Sequence, residues 1–138
     1  MSSMAAQVTA AYFDSKGLIY DMSDDGHAIS TGFELNNREG LKILIIFDPN
    51  DESVALRAFN VAKIPADKKD SMFAVVNSLN TKYRWIKFVI DEEDNTITAE
   101  DDAVIQLDSC GEEVLECCKH IVAIVDKAYP EIMASLFG

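Results

Sequence analysis

The sequence predicts a single α+β domain: an antiparallel sheet of about five to six strands with helices packed on it, in the order α-β-β-β-β-α-β-β-α. Three observations carry this. Residues 29–35 alternate apolar and polar side chains, Leu41 to Phe47 form the most apolar run, and turn residues separate these stretches from each other and from the next strand at short intervals, the pattern of strands joined by hairpins. Residues 83–107 read as one further hairpin, lying between two stretches of helical periodicity. Across its 138 residues the chain is 49% apolar, enough to bury roughly 68–70% of the unfolded surface around one core.

Each element follows from local chemistry. Met4, Val8 and Tyr12 recur four apart with alanines between them, which predicts a short amphipathic helix over residues 4–13, capped by Ser2 or Ser3 and ended at Gly17. Leu18 to Met22 read as a strand and Ser23-Asp24-Asp25-Gly26 as a turn. In the next strand Ile29, Thr31, Phe33 and Leu35 share the apolar face. A tight turn over residues 36–40 would set Phe33 opposite Ile43 and Thr31 opposite Ile45. That places Ile43, Ile45 and Phe47 toward the core and leaves Leu44 and Ile46 on the other side. The turn at Asp48-Pro49-Asn50-Asp51 sets Val54 against Phe47 and Leu56 against Ile45, the same face again. Phe59 and Val61 fall out of phase, which predicts a bulge or bend there. Pro65 opens a helix with Met72, Phe73, Val76 and Leu79 as its stripe. The last long helix starts after Asp108 or Ser109, carries Glu112 and Glu113 in its first turn, and turns Val114, Cys118, Ile121, Val125 and Ala128 inward. Pro130 is expected to interrupt it and start a short terminal segment.

The hairpin at 83–107 holds the densest mixture of aromatic, basic and acidic residues. Closing its turn over Glu92 to Asn95 pairs Ile90 with Ile97, Phe88 with Ala99 and, outside, Lys87 with Glu100. Two charges intrude on the core-facing phase, Arg84 on the first strand and Asp101 on the second. Either they form a partly buried ion pair, since an unpaired buried charge is very costly, or a bulge at Asp101-Asp102 turns both carboxylates to water. On the outer face Trp85, Val89, Leu44 and Ile46 form an apolar strip of the kind that marks protein contacts. Whether helices cover both faces does not follow from the pattern.

The remaining composition excludes more than it assigns. A formal charge of −12 works against nucleic acid and anionic membrane as partners, and with Phe88 turned inward the basic residues around Trp85 do not make a base-stacking platform. No apolar run is long enough to span a bilayer and no signal-peptide pattern opens the sequence, which predicts a cytoplasmic protein. Cys110, Cys117 and Cys118 match no paired-cysteine zinc spacing and read as reduced thiols in a helix, Cys117 being the one within reach of a thiol reagent. Asp91-Glu92-Glu93-Asp94-Asn95 lacks the glycine and helical flanks of a calcium loop, so it reads as an acidic hairpin turn. No phosphate-binding glycine loop or nucleophile elbow is present. No catalytic, cofactor or metal site is expected.

The element order, Lys16-Gly17-Leu18 after the first helix, and the stretch from Tyr83-Arg84-Trp85-Ile86-Lys87-Phe88 through the acidic turn and Ala99-Glu100-Asp101-Asp102-Ala103 to Cys118 resemble the bacterial YbjN-like family. That family is described as sensory-transduction regulators and has a fold similar to type III secretion chaperones. The resemblance implies homodimers and protein binding without catalysis, through a partner that the sequence does not name. The expected function is a non-enzymatic regulator or chaperone-like adaptor. The alternative is a small-molecule sensor with an apolar pocket between the sheet and the C-terminal helix.

Overall fold

The computed structural model describes residues 3–137, so Ser2, one of the two expected caps, lies outside the described residues. Among the described residues three helices, α1 (Met4–Ser15), α2 (Lys69–Lys82) and α3 (Cys110–Phe137), accompany six strands: β1 (Tyr20–Met22), β2 (Ala28–Phe33), β3 (Leu41–Phe47), β4 (Ser53–Lys63), β5 (Lys87–Asp91) and β6 (Thr96–Val104). A single 3₁₀ turn over Ala66–Lys68 leads from Pro65 into α2. The strands form one antiparallel sheet in the order β1-β2-β3-β4-β6-β5, so the second hairpin is joined to the first three-turn meander through β4 and β6.

The helices pack on one face. On β3 the alternation puts Leu41, Ile43, Ile45 and Phe47 inward, and the inward row continues through Val54, Leu56 and Ala58 of β4 to Ile97 and Ala99 of β6 and Phe88 of β5. Against it lie Val114, Cys118, Ile121, Val125 and Ala128 of α3, all fully buried and all on the expected stripe. Each such Ile, Leu or Val side chain contributes about 1.5–3 kcal/mol relative to exposure. The core is thus a sheet face closed by α3, with α1 flanking the β1–β2 side and α2 the β5 side.

Several local expectations are displaced for identifiable reasons. In α1 the buried face is Ala5, Ala6, Thr9 and Phe13, while Met4 is 56% exposed, one position around from the expected stripe. Small residues win because α1 lies so close to α3 that a Cβ built on Gly111 would stand 2.4 Å from the Tyr12 Cβ. The helix ends as expected at Gly17, which adopts φ +71° while Gly17 and Leu18 donate to Asp14 and Phe13 carbonyls. The β2–β3 register is shifted by two: Phe33 faces Leu41 and Thr31 faces Ile43. An even shift keeps every side chain on its expected face. The cause is Arg38, whose guanidinium fills the link by donating to the carbonyls of Glu39, Gly40, Asn60 and Val61, so that the turn does not tighten. The β3–β4 register is as expected, Phe47 on Val54 and Ile45 on Leu56. The predicted bulge lies between Ala58 and Ala62, where Asn60 takes φ +55° and Phe59 is turned out. In α2 Met72, Val76 and Leu79 are buried but Phe73 is 42% exposed. Pro130 does not end α3, which runs unbroken to Phe137.

Candidate functional site

The sheet face opposite the helices holds three of the four residues of the expected apolar strip, Leu44, Ile46 and Val89. It carries Lys42, Leu44 and Ile46 of β3, Ser53, Ala55 and Arg57 of β4, Glu100, Asp102 and Val104 of β6, and Lys87 and Val89 of β5. Its centre is polar. Leu44, Arg57, Glu100 and Lys87 stand in one cross-strand row. Within it the Arg57 guanidinium lies 3.7 Å from Glu100 and donates to Asp102 at 2.9 Å, and Lys87 approaches Glu100 at 3.9 Å. The expected Lys87–Glu100 pairing is therefore part of a larger ladder whose hub, Arg57, sequence reasoning missed. The alternation of β4 puts Arg57 outward, but nothing in the local pattern says that β4 lies beside β6.

This ladder divides the expected apolar strip. Leu44 is half-buried and Ile46 is 41% exposed on β3, while Val89 is half-buried on the far side of the charges. Trp85 is not on this face. The expected strand from Tyr83 starts only at Lys87, because Trp85 takes φ +75° and the Ile86 amide donates back to the Arg84 carbonyl at 2.8 Å in a three-residue turn. Such a turn is strained for a non-glycine residue. It swings the indole onto α3, where it stacks on the His120 ring with centroids 5.5 Å apart and planes 10° from parallel, leaving Trp85 67% exposed.

The same turn removes Arg84 from the sheet. Arg84 is exposed, and it is absent from the ion pairs among the described residues, whereas Asp101 does face the core side and is half-buried against α3. Asp101 meets the Cys117 thiol, within hydrogen-bonding reach, and the His120 imidazole instead of Arg84. Burial raises the Asp101 pKa above the usual carboxylate value, against the lowering effect of the thiol and of His120. Burial and the Asp101 carboxylate push the Cys117 thiol up to about 12, so it is mainly an unreactive thiol at neutral pH. His120 also lies 3.8 Å from Glu116 one turn earlier. Among the described residues no group of three or more His, Cys, Asp or Glu is placed to hold a metal ion.

Two shallow depressions mark the surface. One, of about 420 Å³, lies at the end of the open face between Ile46 and Val104. The other, of about 440 Å³, runs between the β2–β3 link at Phe33 and Leu35 and the α3 residues Val122 and Asp126. Neither lies beside Asp101. No helix among the described residues is long and apolar enough to cross a membrane.

Among curated proteins no sequence matches this chain. Among solved structures, the crystal structure of YbjN, "a putative transcription regulator from E. coli", superposes with a TM-score of 0.64 at 14% identity, covering 91% of each chain. A chain of the ExsC–ExsE complex superposes with a TM-score of 0.52 at 13% identity, covering 88% of this chain and 92% of that one. At such identities the likeness is one of fold, and it is the α+β arrangement expected from the sequence. Residues 6–133 match the family described as "Putative bacterial sensory transduction regulator", and the chain belongs to this YbjN family.

Proposed function

We propose that this protein is a non-enzymatic, cytoplasmic regulator of the chaperone-like adaptor kind, homodimeric, that binds a segment of another protein. The observation that carries the reading is the six-stranded sheet with helices packed on one face, which leaves Ile46 exposed and Leu44 and Val89 half-buried on the other among the described residues. The matched chain in the ExsC–ExsE complex, of the same fold, is solved together with a protein partner, which supports protein binding as the use of such a sheet. A charge of −12 argues against nucleic acid and anionic membrane as the partner. A sensor pocket between sheet and α3 is the less favoured alternative, because Val114, Cys118, Ile121 and Val125 fill that space and are fully buried.

The expected outcome is a dimer by size-exclusion chromatography with light scattering. Affinity purification from the native host is expected to yield partners that are lost on Leu44→Ser or Ile46→Ser. A strict monomer at high micromolar concentration, with an unchanged partner set for Leu44→Ser, Ile46→Ser and Trp85→Ala, would overturn the proposal.

A further inference from the structure

At one end of the open face the side chains change character. Ser53 and Ala55 on β4 are small, and they lie between Ile46 on β3 and Val104 on β6, with Ala55 directly opposite both Ile46 and Asp102 and Ser53 opposite Val104. Small residues flanked by larger ones on both sides make a groove. Its volume is about 420 Å³, and its walls are unusually exposed for aliphatic side chains, Ile46 at 41% and Val104 at 79%. Pro49 and Asp48 of the β3–β4 turn close one end.

The charge around this groove has one sign. The turns and links at this end of the sheet belong to residues 17–37, 43–56 and 88–118, and none of these three segments contains a Lys or Arg. They bring Asp48, Glu52 and Asp102 to the rim and Asp24, Asp25 and Asp108 to the neighbouring turns. Arg57, two residues along β4, is the nearest sheet cation, and it is engaged with Asp102 and Glu100. A second copy of this chain would bring the same negative rim against itself. A segment that alternates aliphatic and basic side chains would instead fill the apolar floor and neutralise the rim, and its charge would be steered there by the field of the whole molecule.

We infer that the Ile46–Val104 groove is a docking site for a short basic–apolar segment of a partner protein. This deepens the protein-binding proposal above and rests on it, with the contact moved to one end of the face and Trp85 left out. The test uses the full chain, isotope-labelled, titrated with a synthetic peptide alternating Lys and Leu, and with control peptides in which Glu replaces Lys or Ser replaces Leu. Amide shifts at Ile46, Ala55 and Val104 with the Lys–Leu peptide alone are expected. Binding should weaken severalfold between about 0.1 M and about 1 M salt, where the screening length falls from about 10 Å to about 3 Å. Val104→Lys, at a largely exposed position, is expected to weaken binding roughly tenfold or more. Ile46→Ser is a second variant should Val104→Lys perturb the spectrum of the free protein, and Trp85→Ala should change nothing. Shifts elsewhere, or equal binding of the Glu and Lys peptides, or no binding of any peptide, would overturn the groove assignment. The affinity purification above judges the broader proposal separately: partners captured equally by wild type and Val104→Lys sink the groove alone, whereas a strict monomer with an unchanged partner set for Leu44→Ser, Ile46→Ser and Trp85→Ala sinks both.

Discussion

At the scale of single residues, Asp101 is the polar group that the core pattern singled out, and the structure gives it a different partner. The reason lies four residues upstream of β5's midpoint: the positive φ at Trp85 takes Arg84 off the sheet, and no period-2 pattern encodes a left-handed residue at a tryptophan. What remains is a half-buried carboxylate with a raised pKa, for which burial is the first cause. Its folded pKa lies above the unfolded one, so the folded state binds more protons. Ionised Asp101 therefore lowers stability as pH rises from the ordinary carboxylate value through its raised value, and the loss persists at neutral pH. Asp101→Asn is expected to raise the urea midpoint at pH 7 and to have little effect below the ordinary carboxylate pKa. The same substitution removes a negative neighbour from Cys117, whose thiol is held up to about 12, so alkylation of Cys117 at mildly alkaline pH should speed up. An unchanged urea midpoint together with an unchanged alkylation rate would show that the carboxylate and the thiol do not interact.

At the scale of elements, α3 shows how a helix carries a proline in its last third. Pro130 has no amide hydrogen, so the Asp126 carbonyl loses its partner four residues on. Asn37, in the link between β2 and β3, supplies one: its side-chain amide donates to that carbonyl at 3.0 Å, and its backbone amide donates to the Asp126 carboxylate at 2.7 Å. The proline that was expected to end the helix instead opens an anchor point for a loop 89 residues away in sequence. Asn37→Ala is expected to cost about 1 kcal/mol in the wild-type chain. In a Pro130→Ala background, where the helix restores its own hydrogen bond, the cost should shrink measurably. A urea-denaturation double-mutant cycle checks this, and additivity of the two substitutions would refute the coupling.

At the scale of the whole molecule, an open sheet must manage its edges. On one side β1 is only three residues long. On the other, the Asn80 side chain of α2 lies along β5, accepting from the Phe88 amide at 2.6 Å and donating to the Phe88 carbonyl at 2.9 Å, as a neighbouring strand would. Asn80→Ala should destabilise the fold by about 1–3 kcal/mol. It should also produce association that grows with concentration, visible by light scattering beyond the wild-type level, whereas a destabilised variant without added association would show that the edge is protected by something else. A signal for this residue was present in the sequence: asparagine is a poor helix-interior residue, and one near the end of an otherwise regular helix invites the question of what it bonds. One edge strand is thus short and the other is capped at Phe88, which fits the proposal that a partner meets the face of the sheet.

Periodicity and turn chemistry by themselves determined the element order, the inward faces of β2 to β6, the β3–β4 and β5–β6 registers, the bulge near Val61 and the stripe of α3. These are properties of neighbours along the chain, where side-chain alternation and backbone preferences act directly. The tertiary structure alone decided that β4 pairs with β6, which joined two hairpins read separately into one sheet and assembled the Arg57–Glu100–Lys87 ladder across it. It also decided that Trp85 leaves the face on which Leu44 and Ile46 lie and stacks on α3. Both outcomes depend on contacts between residues far apart in sequence, and such contacts are selected by what fills the space between α3 and the sheet.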